Sequence, residues 1–131
     1  MQKRIPSELI TYLILKSIRK EGTTYGYELI NNLKDVSNEH WDPSYGTVYG
    51  ILNRLEKKGF IERAEMGDED RKYYKLTKKG EEELKEREHG MKEIGKMAQE
   101  NVLGFLCVYR KIYGEEKFHE LMEKIKKEFG L

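Results

Sequence analysis

Between Ser44 and Gly80 the chain reads SYGTVYGILNRLEKKGFIERAEMGDEDRKYYKLTKKG, and few folds accommodate that order. Val48, Ile51, Leu52 and Leu55 fall at i, i+3, i+4 and i+7, a single helical stripe. Asp42 or Ser44 can cap the first free N–H groups, and Pro43 suits a first helical turn. Gly59 follows Lys57 and Lys58, where a left-handed residue ends a helix and cations favour the negative end of its dipole. Phe60 to Glu65 and Arg71 to Leu76 are each of strand length, with turn-like Met66-Gly67-Asp68-Glu69-Asp70 between them. Thr77 can cap a new helix starting at Lys78. Helix, hairpin, helix predicts a winged helix-turn-helix: mainly α with a small β-hairpin wing, followed by C-terminal helices. In that fold one helix enters the DNA major groove and the hairpin touches the flanking backbone.

The face of the central helix opposite its apolar stripe holds Gly46, Gly50, Asn53 and Lys57, flanked by Tyr49 and Arg54, with Thr47 on the shoulder. A helical glycine costs about 1 kcal/mol against alanine. Two of them four residues apart are explained if another backbone approaches closely. The alternative is a frayed first turn at Gly46 and a tolerated Gly50. Asn53 can pair with an adenine edge, and Arg54 with guanine or phosphate. Ser44 and Lys57 complete the candidate contacts on this helix. Arg71 and Lys72 at the base of the hairpin can reach phosphates. Tyr74 alternates with Leu76 and is expected to pack inward, which leaves Tyr73 outward toward phosphate. Tyr25, near the start of the preceding helix, can contact phosphate or simply pack.

The run GTVYGILNRLEKKGFIE, followed by RKYYKLTKKG, resembles the PadR family of transcriptional regulators. The upstream GYELINNL, Gly26 to Leu33, looks like that family's second helix. The resemblance covers roughly residues 5 to 80, and Thr47, Tyr49, Tyr73 and Tyr74 match family positions. It implies a dimeric repressor on a double-stranded DNA operator, often released by a small ligand. MarR-like regulators share the winged helix and are the nearest alternative. The acidic tip Asp68-Glu69-Asp70 departs from a basic wing and argues against deep minor-groove insertion.

Residues 1–80 are expected to form the DNA-binding domain and 81–131 a helical dimerisation region. The first helix should run from Pro6 to about residue 20, burying Leu9, Ile10, Leu13, Ile14 and Ile18. Thr24 should cap the second, about Tyr25 to Val36, with Tyr27, Ile30 and Leu33 toward the core. Ser37 to Asp42 reads as a polar loop around Trp41. Beyond Thr77, Leu84, Met91, Ile94 and Ala98 recur at near-heptad spacing. Val102, Leu103, Phe105, Leu106, Tyr109, Ile112 and Tyr113 then make a helix apolar on more than one side. A winged domain of this size cannot cover it, so a second copy is the expected cover. Phe105, Tyr109 and Tyr113 share a face and could line a pocket for a small hydrophobic or aromatic effector; ordinary dimer core is the other reading. Gly90, Gly95 and Gly104 are candidate kinks, Gly114 a helix end, and Phe118, Leu121, Met122, Ile125 and Phe129 mark a last amphipathic helix.

Composition narrows the class. Charged residues make up 37% of the 131, against a typical quarter, and the net charge is only +1. Global charge therefore does not announce a nucleic-acid partner, and placement must carry that argument. One cysteine excludes an intrachain disulfide and fits a reducing cytoplasm. No apolar run approaches a membrane span, and no signal-peptide core is present. His40, His89 and His119 lie scattered without ligand-spaced partners, and a His89–Cys107 pair is a weak metal or redox candidate. No nucleotide-binding or nucleophile signature occurs, so neither an enzyme nor a bound cofactor is expected. The rival from another class is a winged helix used as a protein–protein interaction module without sequence-specific DNA binding. Its exposed third-helix face would be apolar or acidic rather than cationic.

Overall fold

The computed structural model describes residues 7–65 and 71–131. The elements in order are α1 (Ser7–Glu21), β1 (Thr24–Tyr25), α2 (Gly26–Val36), α3 (Tyr45–Lys57), β2 (Ile61–Ala64), β3 (Tyr73–Leu76) and α4 (Lys78–Phe129). The chain divides into two compact units, one through His89 and one from Gly90 to Leu131. Pro6 and the acidic tip, Met66 to Asp70, lie outside the described residues.

In the first unit, α1, α2 and α3 turn their apolar stripes onto one core. Ile14, Leu15, Ile18, Leu29, Leu33, Val48, Ile51, Leu52, Ile61 and Tyr74 are all almost fully removed from water. At about 1.5–3 kcal/mol for each large aliphatic side chain, this burial is the principal force holding the unit together. The hairpin strands pair antiparallel, Ile61 opposite Leu76 and Ala64 opposite Tyr73. A third strand was not expected from the sequence. Thr24 and Tyr25 pair with Tyr74 and Tyr73, so the sheet runs β1-β3-β2. Thr24 is accordingly a buried strand residue rather than a cap. Tyr25 occupies the N-cap position of α2, with no side-chain cap hydrogen bond.

Other local expectations resolve individually. Leu15 and Leu29 are core residues, whereas Leu9 and Leu13 are half-buried and Tyr27, expected in the core, is 53% exposed. Ser44, not Asp42, caps α3, its Oγ accepting from the Thr47 N–H at 3.2 Å. Pro43 precedes that cap and is buried. Ser37 Oγ donates to the Leu33 carbonyl and accepts from the Trp41 N–H at 3.0 Å, which orders the α2–α3 loop. In that loop Asn38 and Glu39 both adopt positive φ, 52° and 65°. Gly59 ends α3 with φ 80° as anticipated. Thr77 Oγ1 donates to the Gly59 carbonyl at 2.6 Å and accepts from the Gly80 N–H at 3.0 Å, joining the end of α3 to the start of α4.

Gly80 lies against the Phe60 carbonyl, where a Cβ would overlap the backbone oxygen. Close packing of α4 on the start of the wing thus requires glycine there. Leu84, expected at the head of a dimer seam, is fully buried in this unit's own core. One turn further on, Arg87 reaches Glu8 at 2.7 Å, and Glu88 accepts from Arg19 at 2.8 Å. These contacts hold the first turns of α4 to the winged unit.

The second unit is helical on either side of Gly114, whose φ of 89° and ψ of 174° interrupt α4. Gly90, Gly95 and Gly104 keep helical backbones and do not break it. Across the interruption, Glu115 accepts from Arg110 in a two-pronged contact at 2.6 and 3.0 Å. That hydrogen bonding holds the Glu115 carboxyl below its ordinary range and raises the Arg110 guanidinium. Leu106, Tyr109, Phe118, Leu121, Met122 and Ile125 are half-buried, while Phe105, at 75% exposure, and Ile112, at 66%, stand open.

Candidate nucleic-acid interface

Burial of Val48, Ile51, Leu52 and Leu55 fixes the rotation of α3, so the other side of the helix must face out. Gly46, Thr47, Gly50, Asn53, Arg54 and Lys57 are all exposed. This face carries two cations and no acidic group. Ser44 is exposed as well, but its hydroxyl is occupied with Thr47, at 3.0 Å from the Thr47 Oγ1. It therefore sets the helix start and the Thr47 rotamer.

The two glycines on this face differ from Gly80. A Cβ at Gly50 would meet nothing within 4 Å, and one at Gly46 only the Ser44 Oγ at 3.9 Å. No packing among the described residues requires either to be glycine.

Tyr49 sits differently from its neighbours. It is half-buried, and its ring covers the start of α2 so closely that a Cβ on Gly26 would lie 2.6 Å from the ring's Cζ and Oη. It also stacks with Tyr45, centroids 6.0 Å apart and planes at 11°, and Tyr45 stacks with Tyr27 at 6.5 Å. Tyr49 thus locks α3 against α2, a role the sequence reading did not assign it.

At the wing base, Arg71 and Lys72 are exposed. The Arg71 guanidinium lies 4.6 Å from the centre of the Tyr25 ring, a cation–π contact. Tyr25 meets Tyr73 edge-on at 5.4 Å. Tyr25, Tyr27, Tyr45, Tyr49, Arg71 and Lys72 together line an open cavity of about 360 Å³. Tyr27 and Tyr45 were absent from the candidates read from sequence. Their spacing from Tyr25 and Tyr49, two residues and four, was the available signal.

Residues 14–86 match the transcriptional regulator PadR-like family model. The chain belongs to the PadR-like family of transcriptional regulators. Proteins of this family are DNA-binding regulators, not enzymes, and the winged helix described above is their fold. The PadR-like chain is 37% identical over 82 residues to an uncharacterized protein of Lysinibacillus sphaericus, covering 60% of this chain and 70% of the relative. It resembles the solved structure of a transcriptional regulator from Clostridium thermocellum (28% identity, TM-score 0.63, covering 74% of this chain and 97% of that one). It also resembles a PadR-like transcriptional regulator from Bacillus cereus (28% identity, TM-score 0.59, covering 72% and 91%).

The remaining candidates on this PadR-like chain are placed as follows. Met91 is half-buried, and Ile94, Ala98 and Val102 are exposed, as are Phe105 and Ile112. Tyr109 and Tyr113 pack ring to ring at 4.7 Å. Cys107 is exposed. Among the described residues no group of three or more His, Cys, Asp or Glu is placed to hold a metal ion. Nor is any of their helices long and apolar enough to cross a membrane.

Proposed function

We propose that this PadR-like regulator is a cytoplasmic homodimeric repressor that reads a palindromic DNA operator with the outward face of α3. The observation that carries this reading is the bare, cationic face itself: Gly46, Thr47, Gly50, Asn53, Arg54 and Lys57 exposed on a helix locked from behind. Asn53 and Arg54 read base edges, and Lys57 pairs with phosphate. Arg71, Lys72 and Tyr73 contact the flanking backbone from the wing base. A protein-interaction module would present an apolar or acidic face here, and this face is neither.

Dimerisation rests on the apolar side chains of the Gly90–Leu131 unit that its own fold leaves in water, Ile94, Val102, Phe105 and Ile112 among them. Exposed apolar surface on this scale marks an interface. A two-fold dimer places two copies of α3 about one DNA turn, or a multiple, apart, hence the palindrome. A small hydrophobic or aromatic effector would act at that interface beside Phe105, Tyr109 and Tyr113.

The test is selection from a random duplex library, then titration of the selected site at two salt concentrations. The expected outcome is an inverted repeat whose affinity falls steeply with salt. Recovery of no enriched sequence would refute the reading. Placing the operator before a reporter promoter distinguishes repression from activation.

A further inference from the structure

The cavity between α2, α3 and the wing base has a composition that the α3 face alone does not explain. Among the described residues its lining is four tyrosines with Arg71 and Lys72. At about 360 Å³ it is larger than a lone phosphate fills and within the range of clefts, about 300–1,000 Å³, that hold organic ligands. Its walls are stiff. Tyr27, Tyr45 and Tyr49 form a continuous stack, and Tyr25 is clamped between Arg71 and Tyr73. The cation–π contact with Tyr25 orients the Arg71 guanidinium and reduces the rotamer freedom it would lose on meeting an anion. The helix α2 begins at Gly26, between two lining tyrosines, and its cap residue supplies no side-chain acceptor to the first N–H groups. The positive end of the helix dipole adds to the two cations.

We propose that this cavity seats one sugar–phosphate unit of the operator backbone in each half-site. The deoxyribose lies against the tyrosine rings, and the phosphate oxygens accept hydrogen bonds from tyrosine hydroxyls, Arg71 and Lys72. This rests on the reading of α3 as the DNA-binding helix and adds a second, sequence-independent anchor that fixes the register of α3 in the groove. Because Tyr49 both lines the cavity and packs on Gly26, it acts as a positioning residue, linking the anchor to α3.

The experiment uses the full chain and a set of selected operator duplexes, each carrying one uncharged methylphosphonate at a successive backbone position. Wild type is compared with Tyr27→Phe/Tyr45→Phe and with Arg71→Ala, variants whose thermal melts first establish that they fold. At one position per half-site, methylphosphonate should weaken wild type about tenfold, the loss of a charge-assisted contact. At that position it should weaken the variants by less than about threefold, because their contact to that phosphate is already impaired. Base preference should not change. Equal losses for wild type and variants at every position would overturn the seat while leaving DNA binding by α3 intact. Stabilisation of wild type, but not the variants, by inorganic phosphate together with equal methylphosphonate losses would assign the cavity to a free anion and also overturn it. Failure to bind any duplex would overturn the seat together with the reading it rests on.

Discussion

Gly50→Ala should make the protein more stable and a worse DNA binder at the same time. Gly50 lies in the interior of α3, Tyr45–Lys57, with an ordinary helical backbone and no atom within 4 Å of where a Cβ would go. Adding that methyl therefore gains the helix propensity glycine forfeits, about 1 kcal/mol, without a clash. For a domain of this size 1 kcal/mol corresponds to roughly 4–8 °C in Tm, read at fixed protein concentration so that dimerisation does not move the midpoint. The opposing effect appears only on DNA. If a sugar–phosphate chain or base edge packs on the bare helix, the methyl overfills that contact by about 1–3 kcal/mol, weakening binding between about fivefold and 150-fold. Melting followed by circular dichroism, and fluorescence anisotropy on the selected operator, measure the two effects separately. Gly90→Ala is the control: it is also helical with open space around the Cβ, but lies outside the α3 face, so it should melt higher and bind unchanged. A Gly50→Ala protein that melts higher and binds as tightly as its parent would remove the close approach from the reasoning. One that melts lower would contradict the open space itself.

Four further outcomes are expected. Asn53→Ala and Arg54→Ala should each relax selectivity at one base position at a cost of about 1–3 kcal/mol, whereas Lys57→Ala should weaken all sequences alike and lower the salt slope by about one, as read from binding titrations. Phe105→Glu or Ile112→Glu should shift the sedimenting species from dimer to monomer at micromolar concentration while circular dichroism of the winged unit is retained; an unchanged dimer would place the interface elsewhere. Glu39→Gly should raise stability by about 0.5–1 kcal/mol, because the left-handed φ of 65° costs an L-residue more than glycine's extra unfolded freedom does, and urea titration reads the difference. The Glu115 carboxyl is held below its ordinary 4.5 by the Arg110 hydrogen bond, so its contribution is present above that value and fades as pH falls through the depressed one. An acid melting series should show this loss in wild type and not in Glu115→Gln.

What the sequence discloses here is what local physics encodes. The α3 stripe, the left-handed Gly59 and the Thr77 cap each depend on residues within a turn or two, and periodicity or backbone preference is enough to see them. Strand β1 is hidden because two residues, Thr24 and Tyr25, carry no periodicity; only pairing with Tyr73 and Tyr74, some fifty positions on, makes them a strand. Tyr27 was expected inside because α2 offers overlapping apolar sets. Leu29 with Ile30 and Leu33 fills the core more completely, which rotates Tyr27 into the aromatic stack. Leu84 continues a near-heptad pattern and so reads as part of the seam. Its burial comes instead from the winged core, a contact that no spacing on α4 can reveal.

The glycines show how a motif that looks uniform in sequence divides by cause. Gly26 is bare because the Tyr49 ring fills the space its Cβ would need, and Gly80 because the Phe60 backbone does. Either substitution should destabilise the folded chain whether or not DNA is present, Gly80 more severely, since a peptide carbonyl cannot rotate aside as a side chain can. Gly59 is held by its positive φ, a demand of the chain's own turn. Gly50 has no neighbour, no unusual φ and no cap to serve, yet it lies in the interior of the helix, where glycine is costliest. Of these four, it alone has no reason among the described residues. That asymmetry selects Gly50 over Gly26 or Gly80 as the substitution that tests function rather than folding.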